Sequence, residues 1–285
     1  MRLGAHIGIS GGIERSPVVA KEIGCETMQI FSKNQRQWVV PDLAPDVAAA
    51  FRKAVKQTDI RPVAIHCSYL INLGSSVEKT KVSSREALVK EIERAGALGV
   101  QFIVLHPGAH VGGGVEAGLS LIADGIRSAF ETTEGSKVIL LLETAAGAGT
   151  TLGRSFEELR ELDRKIGMPD RLGYCIDTCH IFVSGMDFRT EKGYEVVMGH
   201  MEETIGSSRV FLFHLNDAML DLGSHRDRHA NIGAGHIGEN GFRLLLKDRR
   251  FQGAAGVLET PLSPDLEHPY SAYERDLERL RSLSR

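Results

Sequence analysis

Residues 138–145 read VILLLETA. Five apolar residues run without interruption into a carboxylate, Glu143. So short and continuous a run, rich in Val, Ile and Leu, suits a parallel strand buried on both faces. Working outward, the same form recurs. Residues 62–66 end in His66, 102–106 in His106, 172–177 in Asp177, 210–214 in His214 and 256–259 in Glu259. Two earlier apolar runs, 3–9 and 27–31, bring the number to eight. Between them lie stretches with helical spacing, including 45–57, 85–98, 119–132, 155–166 and 271–283. Ser155 with Glu158 three residues on has the form of a capping box. Eight strands alternating with eight helices predict one (β/α)8 TIM barrel over residues 1–285, in the α/β class. A doubly wound open sheet is the structural alternative; no G-x-G-x-x-G follows the first strand, so a dinucleotide-binding version has little support.

Composition agrees with such a chain. Apolar residues make up 42% and charged residues 25%, as in ordinary soluble globular proteins. A net charge of −3 advertises no polyanion partner, so any nucleic-acid contact must come from local basic groups. Cys25, Cys67, Cys175 and Cys179 form no CxxC pair. With no signal-peptide pattern and no apolar run near ~18 residues, the expectation is a reduced, cytoplasmic chain that enters no membrane.

In a TIM barrel the catalytic groups stand at the C-terminal ends of the strands. A single histidine there is more often a hydrogen-bonded core residue than a ligand. Six consecutive strands ending in His or carboxylate make that reading untenable for the set. Glu143, Asp177 and Glu259 brought into one low-dielectric mouth would repel strongly, so cations must compensate or the carboxyls must protonate. Imidazoles beside carboxylates are ordinary ligands of zinc and similar metals. The seventh connection, 216–241, is unusually long for a barrel loop. In an extended segment Asp227 and His229 project to the same side, and with His180 they form a further candidate arm. Nine donors (His66, His106, Glu143, Asp177, His180, His214, Asp227, His229 and Glu259) exceed what one four-coordinate zinc uses, which implies two or three ions. Such a site serves phosphodiester hydrolysis, peptide hydrolysis or sugar isomerisation, and the donors alone do not choose among them.

Several features are set aside. Gly112–Gly114 lacks a following GK[ST] and reads as a turn before a helix. Cys179 reads as a packed thiol, and His6 as a residue that lines the mouth and hydrogen-bonds to a ligand. His110, His200, His225, His236 and His268 carry no functional case.

The ordered segments HCSYLINLG from His66, GYCIDTCH ending at His180 and FHLNDAMLDLGSHRDRH ending at His229 closely resemble the three signatures of the endonuclease IV family. KNQRQW from Lys33, LHPGAH from Leu105 and LETP from Leu258 agree as well, so the resemblance runs from His6 to Pro261. It implies a barrel with three Zn2+ ions, or zinc with Mn2+ at some positions. His66, His106 and Glu143 would hold one ion. Glu143 would bridge to a second, also held by Asp177, His214 and Glu259, and His180, Asp227 and His229 would hold the third. The implied activity is apurinic/apyrimidinic endonuclease chemistry in base excision repair. The phosphodiester 5′ to an abasic site is hydrolysed, leaving a 3′-hydroxyl and a 5′-deoxyribose phosphate, and blocked 3′ ends are also removed. Glu259 and Glu143 would act on the attacking water as well as bind metal. Arg36, Tyr69 and Leu70 match residues that enter duplex DNA; Lys33, Asn34 and Gln35 are weaker candidates for backbone contacts. The resemblance also implies a working monomer. Met219 and Tyr174 depart from the family pattern, the first at a contact position and the second in packing. The competing readings are a sugar isomerase or epimerase on the same barrel and a non-catalytic DNA-damage binding protein.

Overall fold

The computed structural model describes residues 1–39 and 41–285. The apolar runs form eight parallel strands: β1 Arg2–Ile7, β2 Thr27–Phe31, β3 Val63–His66, β4 Phe102–Leu105, β5 Ile139–Glu143, β6 Leu172–Asp177, β7 Val210–His214 and β8 Ala255–Leu258. Consecutive strands pair all the way round, and β1 closes on β8. Side chains alternate between two cores. Ala64, Phe102, Val104, Leu141, Cys175, Leu212, Ala255 and Val257 fill the barrel. Their neighbours Ile65, Ile103, Leu140, Leu142 and Phe213 face outward against the helices. Each fully buried Leu, Ile or Phe of these layers contributes about 1.5–3 kcal/mol. The register pairs His6 with Gln29, Phe31 with His66, and Asp177 with His214, which gathers those side chains at one end of the barrel.

The helices are α1 Ser16–Glu22, α2 Pro45–Thr58, α3 Glu78–Leu98, α4 Val115–Thr132, α5 Phe156–Ile166, α6 Thr178–Val183, α7 Glu191–Thr204, α8 Gly238–Lys247 and α9 Ser271–Ser284. Most bounds fall within a residue or two of the sequence expectation. The exceptions among the helix starts are α4, which opens four residues before position 119, and α3, which opens seven residues before position 85. The first turns of α3, Glu78–Ser84, are mostly polar and partly exposed, so they carry no apolar stripe to read. β1 ends at Ile7 rather than 9, because Gly8 N–H leaves the sheet and donates to Tyr270 Oη at 2.9 Å. The short helix α6 was not expected; its six residues are all buried, so no polar face marks it. The capping reading of α5 holds at Ser155, whose hydroxyl accepts from Glu158 N at 3.3 Å. The Glu158 carboxylate reaches further back and accepts from Gly153 N and Arg154 N. Gly112–Gly114 does precede a helix, α4, with Gly114 at its N-cap.

The long seventh connection is an ordered hairpin. Asp217–Ala218 pairs antiparallel with His229–Ala230. The fully buried Asp217 carboxylate then accepts from the N–H groups of Gly233, Gly235 and Ile237 at 2.9–3.1 Å, which anchors the returning chain. Gly235 is required by close approach, since a Cβ there would meet Asp217 Oδ1 at 2.5 Å. Of the two departures, Tyr174 lies away from the mouth and donates to Asp163 Oδ2 at 3.0 Å, a hydrogen bond in addition to packing. Met219 is exposed on the hairpin. All four cysteines are free and buried. Burial raises each thiol pKa, that of Cys25 to about 12. Among the described residues no helix is long and apolar enough to cross a membrane.

Candidate metal centre

Strand ends and their first following residues build the site. His66, Glu143, Asp177 and His214 are the last residues of β3, β5, β6 and β7; His106 and Glu259 follow β4 and β8 by one residue. Asp177 also caps α6, accepting from His180 N at 2.9 Å, so the helix turns His180 back over the same mouth. The hairpin brings in His229, and Asp227 beside it. All nine expected donors therefore meet at one end of the barrel.

They fall into three groups, each with its donor atoms within 4.8 Å of one another: His66, His106 and Glu143; Glu143, Asp177, His214 and Glu259; His180, Asp227 and His229. Glu143 belongs to two of them. Its Oε2 lies 3.2 Å from His66 Nε2 and 3.3 Å from His106 Nδ1, while Oε1 lies 2.9 Å from His214 Nδ1. Asp227 makes the third group with Oδ2 3.2 Å from His180 Nε2 and Oδ1 3.0 Å from His229 Nε2. A fourth combination, Asp177, Cys179 and His229, also comes within this distance. The Cys179 thiol instead donates to Arg228 O, and burial keeps it protonated.

Backbone carbonyls fix which nitrogen faces the centre. His66 Nδ1 donates to Cys67 O at 2.7 Å, His180 Nδ1 to Thr144 O at 2.7 Å and His229 Nδ1 to Glu259 O at 3.1 Å. Each then turns an Nε2 lone pair inward, the usual outer support of a metal-ligating histidine. The carboxylates are held likewise: Asn216 Nδ2 donates to Asp177 Oδ2 at 2.7 Å, and Asn216 Oδ1 accepts from Glu259 N.

The charges do not balance without cations. Glu143 and Asp177 are fully buried, and among the described residues no Lys or Arg forms an ion pair with them or with Glu259. Protons on imidazoles stand in. Burial opposes a charge on His66, but the Glu143 and Glu259 carboxylates overcome it and push its pKa up to about 9. His229 reaches about 9 in the same way, through Asp177 and Asp227, and His180 rises well above its usual value. Burial would raise Glu143; the His106 and His214 imidazoles outweigh it and hold the carboxyl well below its usual range. Among the described residues, His180 Nε2 and His229 Nε2 are buried and make no hydrogen bond, although Asp227 oxygens lie 3.2 and 3.0 Å away. Imidazole nitrogens turned in this way toward ionised carboxylates are the donor set of a hard or borderline divalent ion once their protons leave.

Two loops on the same face carry the other expected residues. Ser68 Oγ donates to Gln35 O at 2.6 Å, tying the loop after β2 to the loop after β3. Asn34, Arg36 and Tyr69 are exposed; Gln35 and Leu70 are partly so. Lys33 needs correction. It is buried, with Nζ 3.6 Å from Glu91 Oε1, and its ammonium supports the loop from inside instead of facing a phosphate. Sequence reasoning missed Gln29, which is fully buried between His214 and Glu259. The only signal was its position, an amide between Met28 and Ile30 in the second strand.

Fold and donors together define a class, and a family model described as the xylose isomerase-like TIM barrel matches residues 18–283. The barrel of a 3-keto-D-glucoside 4-epimerase from E. coli superimposes with a TM-score of 0.71 over 99% of each chain, but at 14% identity this shows the fold alone. Closer relatives sharpen the class. A probable endonuclease 4 from Chloroflexus aurantiacus is 44% identical over 99% of this chain and 98% of its own length. Another from Methanoculleus marisnigri is 42% identical over 91% and 92%. The crystal structure of endonuclease IV from Thermus thermophilus superimposes with a TM-score of 0.86 at 33% identity, covering 99% of this chain and all of the other. The chain belongs to the endonuclease IV family, metal-dependent deoxyribonucleases of DNA repair.

Proposed function

We propose that this protein hydrolyses the phosphodiester on the 5′ side of an abasic site in duplex DNA, leaving a 3′-hydroxyl and a 5′-deoxyribose phosphate, and that it also trims blocked 3′ ends. The nine donors would hold three divalent ions, zinc alone or zinc with manganese, in the three groups described, with Glu143 shared between two. When bound, such ions supply positive charge at the scissile phosphate and make water acidic at neutral pH. The observation that carries the reading is the third donor group. To the two donor groups that share Glu143 the mouth adds a rim arm of His180, Asp227 and His229, with Asp227 half exposed. A sugar isomerase has no use for that arm, and a purely structural site would be closed.

The chain's own groups then divide the work. Glu259 and Glu143 orient the attacking water and accept its proton, Glu259 being the partly exposed one. The carbonyls of Cys67, Thr144 and Glu259 keep three imidazoles in the ligating tautomer. Arg36, Tyr69 and Leu70 enter the duplex, with Asn34 and Gln35 on the backbone. An abasic nucleotide has already lost its stacking, so its extrusion costs less than flipping an intact base, and a wedge with an arginine can hold the opened step. A monomer working in the cytoplasm completes the reading. Incubation with a duplex carrying one abasic analogue tests it. Incision 5′ to the lesion, absent on undamaged duplex and lost in Glu259→Gln, is expected. Binding without incision, or turnover of a ketose instead, overturns it.

A further inference from the structure

β1 and β2 bring two polar side chains into the mouth, His6 and Gln29, which sit side by side in the register. Neither is among the nine donors. The Gln29 amide touches three groups: Nε2 is 2.6 Å from Glu259 Oε1 and 3.0 Å from His6 Nδ1, and Oε1 is 2.9 Å from His214 Nε2. An ionised carboxylate only accepts, so the amide must turn its NH2 toward Glu259. Its second hydrogen is then donated to His6 Nδ1, and its oxygen accepts from His214 Nε2–H. Two tautomers follow. His214, donating at Nε2, presents Nδ1 to the side of Glu143 and Glu259, where a ligating imidazole would offer its lone pair to a metal ion. His6 Nδ1 also lies 3.4 Å from Glu259 Oε1, but the amide NH2 is closer at 3.0 Å and cannot accept, so Nδ1 accepts and the proton sits on Nε2.

That Nε2–H is buried and has no hydrogen-bond partner among the described residues. The Phe31 ring packs against the imidazole at 4.5 Å between centroids and fixes its plane. A buried donor without an acceptor is rare and costly, and where it occurs it calls for a partner. Because it is neutral, such a donor adds no charge to compete with metal ions for the neighbouring carboxylates.

We propose that His6 is a further substrate-contacting residue, held by Gln29 as the neutral Nε2–H tautomer and donating a hydrogen bond to a non-bridging oxygen of the phosphodiester. This rests on the phosphodiester chemistry proposed above. Gln29 is the positioning residue: one amide sets the tautomers of His6 and His214 and orients Glu259. Negative charge grows on the phosphoryl oxygens during displacement, where a preorganised neutral donor acts most strongly.

Three measurements on the zinc-loaded protein test the proposal. Long-range 1H–15N spectra are expected to show His6 protonated on Nε2, with that resonance shifting on titration with inorganic phosphate. A proton on Nδ1 overturns the idea. Side-chain amides then separate the two nitrogens, since Gln places a donor near the Nε2 position and Asn near Nδ1. On an abasic-analogue duplex, His6→Asn is expected to lower kcat about 100-fold, with KM and metal content unchanged, and His6→Gln to recover most of the loss. Equal losses in both variants, or a loss that follows loss of metal, overturn it. Should the wild type fail to incise, the functional reading falls, but the phosphate titration still decides: affinity unchanged in His6→Asn sinks the role of His6.

Discussion

Glu143 shows how much one residue settles. It ends an apolar strand, it is fully buried, and its two oxygens face different sets of imidazoles. The sequence displayed the burial, as five apolar residues before it, and the chemistry, as repetition of the pattern in other strands. Gln29 was illegible for the opposite reason: a single amide in a strand has no partner visible along the chain, and its contacts come from residues 185 and 230 positions away. Lys33 misled because a lysine in a loop reads as a surface cation, and only the fold reveals Glu91 beneath it. The imidazoles also predict a pH signature. In metal-free protein, His66 and His229 have pKa values near 9, against about 6.5 when unfolded. Their protons therefore contribute stability in full below pH 6.5, and the contribution fades as pH rises through 9. Thermal melts of the stripped protein are expected to drop by on the order of 5 °C between pH 6.5 and 9.5. Metal-loaded protein, whose imidazoles are already deprotonated, should not follow; parallel behaviour of the two forms would refute the assignment.

At the level of elements, the hairpin after β7 is what makes the rim arm possible. Asp217 gathers backbone N–H groups from the returning strand, so Asp217→Ala would leave several of them buried and unsatisfied. About 3 kcal/mol of stability should be lost, together with roughly one metal ion per chain by elemental analysis, since Asp227 and His229 hang from this element. Retention of full metal content would show that the arm holds itself. Ser155→Ala is the matching control. Removal of the α5 cap should cost about 1 kcal/mol and leave metal content and incision intact, because α5 lies behind the barrel wall. Caps and strands of this kind were readable beforehand, since each has a local residue code. The start of α3 and the whole of α6 were not: one is mostly polar and the other entirely buried, and both lack the contrast between faces on which periodicity depends.

For the molecule as a whole, the barrel was legible because eight similar runs recur at helix-length spacing, and the mouth was legible because its donors sit at the ends of those runs. The proposed nucleic-acid face rests on resemblance alone, for a chain of net charge −3 shows no basic block. Binding must then depend on few cations, and Arg36→Ala is expected to reduce the slope of log affinity against log salt by about one while leaving metal content untouched; an unchanged slope would place Arg36 off the DNA. The four buried thiols carry a last consequence. With burial holding them protonated inside the folded chain, they offer almost no thiolate to an oxidant or alkylating reagent. An enzyme that acts on damaged DNA would thus keep its own sulfur chemistry silent under the conditions that create its substrate. Slow native-state alkylation at Cys25, Cys67, Cys175 and Cys179, resolved by mass spectrometry, would time the opening of four separate parts of the wall.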